Sequence, residues 1–521
     1  QRVHHRVRRR VLQVTIRRRP ALGVLTLGVL LIGVDGTVVS LATPFIVAAL
    51  GATATDMLWV GDVYSFVLAG LLVTMGSLGD RIGHRRLLLC GAGAFAAASV
   101  ATAYAPTVGL LIGARALLGV AGATLAPSTL ALIRGLFPRP RERAVAIGVW
   151  AAVFSAGSAL GPVVSGLLVG HFWWGSVFLV NVPVAVVLLV GIVMVPEVRN
   201  PDPGPWDLPS VVRWLAGIRG LGYGARKGAG AGHAEEWVMA GAGGVVALAL
   251  FARRQLRLTT PLIDVRLFAD RAFSGVVVAN LLSVLGLSGV VFFLSQFFQL
   301  VGGYSPMQAG LAELPAAVAA MVFGLLAGVF VRFWSRRVLL ASGLALVGAG
   351  LASLTLVGPS TAYPRIGGAL FVVGAGLGLA YTVANNVILA GVAPERTGAA
   401  AAISETAYEL GMALGIATLG SVVAAVYRGL TIPPGVHAGV AAQAKQTLGG
   451  ANQAAAMLPA DQADQLLTAA RGAFTDGLIA AAGVGSALLL ASATVVWLLL
   501  KPTPQPGRVS PCSKVNTLSG S

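Results

Sequence analysis

The chain is 521 residues long, 56% hydrophobic and only 11% charged, with a mean hydropathy of +0.83. A soluble domain of this size would carry roughly 25% charged residues, so there are too few polar groups to cover a globular surface and the surrounding solvent has to be lipid. The formal net charge of +18 would suit a nucleic-acid binder, but the Arg residues sit in short runs between apolar stretches, a pattern that argues against one.

Gln1 to Pro20 holds eight Arg and then gives way to a long apolar segment. A secretory signal would show an apolar region of about 7–15 residues and a small-residue cleavage site. Here the apolar run is longer and contains Asp35, so it reads as a first membrane helix. The basic tail 1–20 then reads as a cytoplasmic anchor for anionic lipid, with a nucleic-acid arm as the minor alternative.

A membrane crossing needs about 20 mostly apolar residues. Apolar windows fall near 21–42, 58–78, 87–106, 108–130, 143–168, 174–196, 207–225, 237–253, 272–300, 310–331, 338–357, 364–390, 400–427 and 476–500. That predicts fourteen helices, and an even number returns both termini to one side. With the N-terminus inside, six of the 37 Lys and Arg fall outside, three (Arg115, Arg213, Arg219) lie within crossings, and the remaining 28 face the cytoplasm. This bias is a strong positive-inside signal, and it predicts a bacterial inner-membrane protein with both ends cytoplasmic. The 68 Gly fit closely packed membrane helices.

Two breaks organise the chain: the Pro-rich stretch 197–206, and the basic stretch 253–271. They predict an all-α integral membrane protein with a six-helix bundle over 21–196, a linker over 197–271 holding two inserted peripheral helices, a second six-helix bundle over 272–500, and a tail over 501–521. The polar stretch 428–475 is expected outside, and its Ala/Gln-rich part, 438–470, suits a surface helix. Cys90 and Cys512 form no disulfide framework, and six scattered His make no metal site, so no cofactor is expected.

The strongest motif lies between the second and third helices: Gly76, Gly79, Asp80, Arg81, Gly83, His84, Arg85 and Arg86. Gly79 and Gly83 permit a tight turn, and a plain positive-inside loop explains the Arg residues but not the Asp or the glycine spacing. The segment resembles the G-x-L-x-D-R-x-G-R-[KR] loop of the major facilitator superfamily. Three further motifs resemble the fourteen-helix drug:proton antiporter branch of that superfamily: Asp35 and Thr37 through Pro44 in helix one, Arg115, Gly119 and Gly122 in helix four, and Gly157, Gly161, Pro162 and Gly166 in helix five. Leu179, Asn181 and Pro183, and Tyr304, Pro306 and Gly310, extend the resemblance along the chain. Ser40, Thr43 and Ser165 depart from the usual residues, and none of the changes removes an ionisable group.

Trp59, Asp62 and Tyr64, with Glu405, Tyr408, Glu409 and Gly411, look most like the antiseptic and quaternary-ammonium exporters of that branch. The resemblance implies two bundles with a cavity between them, alternating access, and export of lipophilic cations in exchange for protons by a monomer. It also implies gating by Gly76, Asp80, Arg81, Gly83, Arg85, Gly157, Gly161 and Pro162, with Asp80 pairing with an Arg across the bundle.

A carboxylate within a crossing costs a few kcal/mol, so each is a functional candidate. Asp35, about fifteen residues into helix one, reads as the proton carrier or as the partner of a buried Arg. Arg115 reads as its tuner or as an interhelical donor. Asp62 suits a cation vestibule or a wetted helix start. Glu405 and Glu409 share one helix face, an arrangement expected to bind cations or protons or to pair with an Arg. Glu313, two residues before Pro315, suits a cavity ligand or a solvated helix end. Tyr64, Phe297, Tyr381 and Tyr408, with Phe292, Phe293 and Phe298, are candidate cavity walls offering cation–π contacts. Arg213 and Arg219 are about 120° apart on helix seven and call for partners such as Asp207, for lipid phosphate, or for a shallow helix. The rival readings are an exporter of an endogenous lipid, siderophore or antibiotic, and a membrane receptor. An enzyme is not expected, because no nucleophile–base pair or metal cluster falls in the crossings.

Overall fold

A computed structural model describes residues 2–199, 207–227, 234–258, 261, 263–331, 333–390 and 397–500, and no strand occurs among them. The first helix, α1 (Arg2–Leu50), runs without a break from the basic segment through Asp35. It is followed by α2 (Ala54–Ile82), α3 (His84–Ala103), α4 (Val108–Leu136), α5 (Pro140–His171), and the short α6 (Ser176–Leu179) and α7 (Asn181–Gly191). Next come α8 (Leu208–Lys227) and α9 (Ala234–Gln255), then α10 (Arg271–Gln296), α11 (Pro306–Ala312), α12 (Leu314–Phe330), α13 (Arg336–Leu354), α14 (Tyr363–Ala390) and α15 (Thr397–Tyr427). Last are α16 (Ala438–Ala444), α17 (Leu448–Ala455) and α18 (Ala460–Leu499).

The helix starts follow local capping. Thr53 and Asp56 form a reciprocal capping box that starts α2 at Ala54, ahead of the apolar window. Ser305 and Gln308 do the same for α11, with Pro306 at the first helical position. Thr107, Asp270 and Ser335 cap α4, α10 and α13.

Among the described residues, twelve segments are long and apolar enough to cross a membrane. They correspond to every predicted window except 207–225 and 237–253, which hold α8 and α9. Two hydrophobic cores result. One gathers Leu25, Leu31, Tyr64, Phe95, Leu118, Phe178 and Leu188 from α1 to α7, the other Phe273, Val290, Leu344, Leu370, Val383, Leu419 and Leu489 from α10 to α18. The cores meet where α2 lies on α15 and α5 on α11. These contacts are close: a Cβ on Gly310 of α11 would stand 2.6 Å from the Pro162 carbonyl of α5, and one on Gly61 of α2 would stand 3.5 Å from Ile416 of α15. Both lie in the half of the bundle away from the α2–α3 turn.

The stretch 428–475 is not irregular throughout: it holds α16, α17 and the first turns of α18, a single 40-residue helix. These pieces cap the end of the bundle away from the α2–α3 turn, where Tyr427 donates to the Ala444 carbonyl at 3.0 Å and Gln453 to the Val47 carbonyl at 3.5 Å. Nor is Asp207 a partner for Arg213 or Arg219. It is held by Arg254, whose Nε and Nη2 donate to it at 2.8–3.0 Å, while Ser210 also hydrogen-bonds it. Arg213 donates instead to the Pro209 carbonyl at 3.2 Å, and Arg219 is exposed. The Asp207–Arg254 pair ties the open ends of the α8–α9 hairpin, which leans on α2 through Leu215 over Gly70.

Candidate functional site

Asp35 on α1 and Arg115 on α4 form an ion pair, with Arg115 Nη1 donating to Asp35 Oδ2 at 2.5 Å. Neither is accessible, at 0% and 1% exposure. Taking two charges out of water costs several kcal/mol per ion unless further groups satisfy them, and here they do. Arg115 Nε donates to the Val60 carbonyl of α2 at 3.2 Å, and Asn181 Nδ2 of α7 donates to Asp35 Oδ1 at 3.0 Å. The guanidinium lies over the Tyr64 ring at 4.8 Å and near Phe178 at 5.8 Å, adding cation–π contacts on both sides.

The spacing of Arg115, Gly119 and Gly122 explains this geometry. They lie on one face of α4, and side chains there would collide with α2: a Cβ on Gly119 would stand 2.7 Å from the Tyr64 carbonyl, and one on Gly122 3.2 Å from the Tyr64 hydroxyl. The glycines let α2 approach until Tyr64 covers Arg115. Helix five uses the same device on α1. Gly157 faces the Leu30 carbonyl at 3.2 Å and Gly161 abuts Thr37, while Pro162 presents its carbonyl to Gly310 of the other bundle. Ser165, one of the departures from the family pattern, donates to the Val38 carbonyl at 2.7 Å.

A second polar group sits on α15. Glu409 is 3% exposed and takes a hydrogen bond from Ser65 of α2, whereas Glu405 is half-buried. Asp62 is fully buried, which excludes a wetted helix start. Tyr408 and Tyr381 meet at 5.8 Å between centroids, and Tyr408 meets Phe154 of α5 at 5.8 Å and 75°. Phe154 in turn stacks with Trp150 at 6.4 Å, and Trp150 Nε1 donates to Thr129 at 3.0 Å. Trp150 and Phe154 are absent from the sequence-based candidates, and their helical spacing resembles any packed face. Glu313 is buried at the α11–α12 break, apart from the α15 carboxylates, with no hydrogen bond to its Oε1. That excludes a solvated helix end. Phe297 belongs to a separate aromatic group with Phe298, in a π-helical turn that follows α10.

At the α2–α3 turn, Asp80 Oδ1 pairs with His84 Nε2 at 3.0 Å, one turn along the chain. What the turn grips is the strand of chain after helix six. Arg85 N–H donates to Glu197 Oε1 at 2.9 Å, His84 N–H to the Val198 carbonyl at 3.1 Å, and Arg199 Nε to the Arg81 carbonyl at 2.6 Å. Gly76 meets Pro127 of α4 at an ordinary 3.5 Å. Gly83 is required twice over: its φ is +103°, and a Cβ would stand 2.6 Å from the Glu197 carboxyl carbon. Gly83→Ala should therefore lower the thermal midpoint, since such backbone costs about 1–3 kcal/mol for other residues. It should slow turnover without changing equilibrium cargo affinity. Melting curves, efflux rates and dye binding on one preparation check this, and an unchanged midpoint would contradict it.

The sequence profile described as Major Facilitator Superfamily matches residues 25–416. The chain belongs to the major facilitator superfamily. Among curated relatives it is similar to the multidrug efflux pump LfrA of Mycolicibacterium smegmatis, at 46% identity over 91% of this chain and 95% of that one. It is 37% identical to the methyl viologen resistance protein SmvA of Salmonella typhimurium, over 90% and 95%. It is 31% identical to the tetracenomycin C resistance and export protein of Streptomyces glaucescens, over 93% and 92%. The fold is shared with a bacterial homologue of the human lysosomal transporter Spinster, solved inward-facing and unoccupied, at a TM-score of 0.66, 16% identity, and coverage of 94% and 99%. It is also shared with a D-xylose–proton symporter, at a TM-score of 0.60, 14% identity, and coverage of 94% and 98%. As a member of the major facilitator superfamily with twelve long apolar segments, the chain is a multi-pass bacterial membrane transporter and not an enzyme.

Proposed function

We propose that this transporter is a proton-coupled multidrug antiporter that exports lipophilic cations by alternating access. The observation that carries the reading is the buried Asp35–Arg115 pair, an ionisable carboxylate enclosed beside its Arg partner at the heart of the first bundle. The multidrug and methyl viologen names of its relatives support the cargo class. In this reading α8 and α9, each about 30 Å or longer at 1.5 Å per residue, complete a set of fourteen crossings and lie at the periphery of two six-helix bundles. The end with the α2–α3 turn is cytoplasmic, as are both termini. Because the bundles touch in the opposite half, the structure then corresponds to the inward-facing state.

Cargo enters from the cytoplasm or inner leaflet and meets Glu405, Glu409 and Asp62 on α15 and α2, while Glu313 supplies a further buried carboxylate. Proton release from the carboxylates accompanies cargo binding, and reprotonation from outside follows its release. Asp35 carries the coupling proton, and Arg115 tunes it by remaining charged beside it. A proton-motive force of about 180 mV supplies about 4 kcal/mol per proton, at about 2.3 kcal/mol per 100 mV, enough for a gradient of roughly a thousand-fold. The protein needs no cofactor in this scheme and works as a monomer among membrane lipids. The Streptomyces relative named for tetracenomycin C export favours one second reading, export of an endogenous antibiotic on the same machinery.

Reconstituted in proteoliposomes, the protein should move ethidium uphill when a pH gradient is imposed, with proton flow in the opposite sense. Ethidium flux that ignores the pH gradient would defeat the antiport reading, and no flux of any cation would defeat the cargo reading.

A further inference from the structure

Four aromatic rings form a chain that crosses from one bundle to the other: Trp150 and Phe154 on α5, Tyr408 on α15 and Tyr381 on α14. The first two are fixed to their own bundle. Trp150 is tethered by its N–H to Thr129 of α4, and the Phe154 carbonyl lies 2.7 Å from where a Cβ on Gly33 would be, so α5 is seated on α1 at that residue. The last two belong to the second bundle. The boundary therefore runs between Phe154 and Tyr408, whose rings meet edge to face at 5.8 Å and 75°. Glu405 lies one turn before Tyr408 on the same face of α15 and, unlike Glu409, is only half-buried.

We propose that planar aromatic cations are recognised by insertion between Phe154 and Tyr408, with Glu405 as the counter-charge and Trp150 as the rigid backing of the Phe154 wall. This rests on the cation-exporter reading above and adds the shape that the site selects. Edge to face here, the two rings would accept a flat guest once turned parallel at about 7 Å, two van der Waals layers, and rocking of one bundle against the other would set that spacing because the rings belong to different bundles. A ring that stacks on the guest and a carboxylate beside it favour a delocalised aromatic cation over a compact aliphatic one, which gains from the charge alone.

The test compares equilibrium binding of ethidium, flat and aromatic, with that of tetrabutylammonium, which has the same charge and no ring, on purified full-length protein. Phe154→Leu should weaken ethidium about ten-fold or more while tetrabutylammonium changes less than about two-fold. Phe154→Tyr should restore ethidium binding, and Tyr408→Leu on the opposite wall should reproduce the selective loss, which keeps the test open if one variant fails to fold. Equal loss of both cations in Phe154→Leu and Tyr408→Leu overturns the proposal in favour of plain packing, and unchanged ethidium binding overturns it outright. Wild-type protein that binds neither cation defeats the cation-exporter reading itself.

Discussion

Asp35→Asn should abolish uphill efflux while the protein still reaches the membrane. The amide keeps the volume of the side chain and an oxygen for the Asn181 bond, and it removes the ionisable carboxylate. It also leaves Arg115 with a buried charge and no counter-ion, and removing one partner of such a pair costs about 3–5 kcal/mol. The single variant should thus melt earlier as well as lose coupling. Asp35→Asn combined with Arg115→Gln separates the two effects: the double variant should regain thermal stability and still fail to build a gradient. The gradient expected of the wild type, on the order of a thousand-fold, should collapse to none in both, read as ethidium extrusion against its concentration difference. Uphill extrusion that persists in Asp35→Asn would remove Asp35 from the coupling step.

The α15 carboxylates should instead discriminate cargo by charge. A desolvated cation that loses its buried carboxylate partner forfeits about 2–5 kcal/mol, whereas neutral cargo forfeits nothing. Glu405→Gln and Glu409→Gln should each reduce export of divalent cations most, on the order of thirty-fold, of monovalent cations less, and of neutral compounds least. In the proposed cation-export reading, half-buried Glu405 is the carboxylate expected to meet the cargo. Glu409 contributes through its field from beside Ser65. Efflux of a matched neutral, monovalent and divalent set decides the point. Uniform loss would make the pair a proton relay, and no loss would make it structural.

The fold was legible because lipid allows few solutions: backbone groups must be satisfied within each segment, so crossings announce themselves as apolar runs of fixed length. Glycines at 119, 122, 157 and 161 were legible for a related reason, since close helix approach leaves a periodic mark in the sequence. The groups that complete the site were not. Asn181 reaches Asp35 across 146 positions, and Glu197 reaches Arg85 across 112, distances at which one sequence carries no pairing information. Asp80 shows the converse limit. Its motif marked a charge at a helix end, but not that His84, one turn along the same stretch, would pair with it. Phe154 meets Tyr408 of the other bundle, with Trp150 stacked behind it, a juxtaposition that one sequence does not display.

The Asp35–Arg115 pair also bears on how the chain is made. An isolated Asp or Arg at the centre of a crossing resists entry into lipid by about 2.5–3.5 kcal/mol. The two residues are 80 positions apart, and at about 5–20 residues per second Arg115 is synthesised about 4–16 s after Asp35. Asn181 follows Asp35 by 146 positions, a delay of about 7–29 s at the same rates. During that interval α1 carries an unmatched carboxylate, so it has to stay beside the insertion machinery, or in shallow contact with headgroups, until α4 arrives. Release of the bundle from α1 to α7 into the bilayer as a unit is therefore the expected order, with synthesis helping to keep its charges out of hydrocarbon.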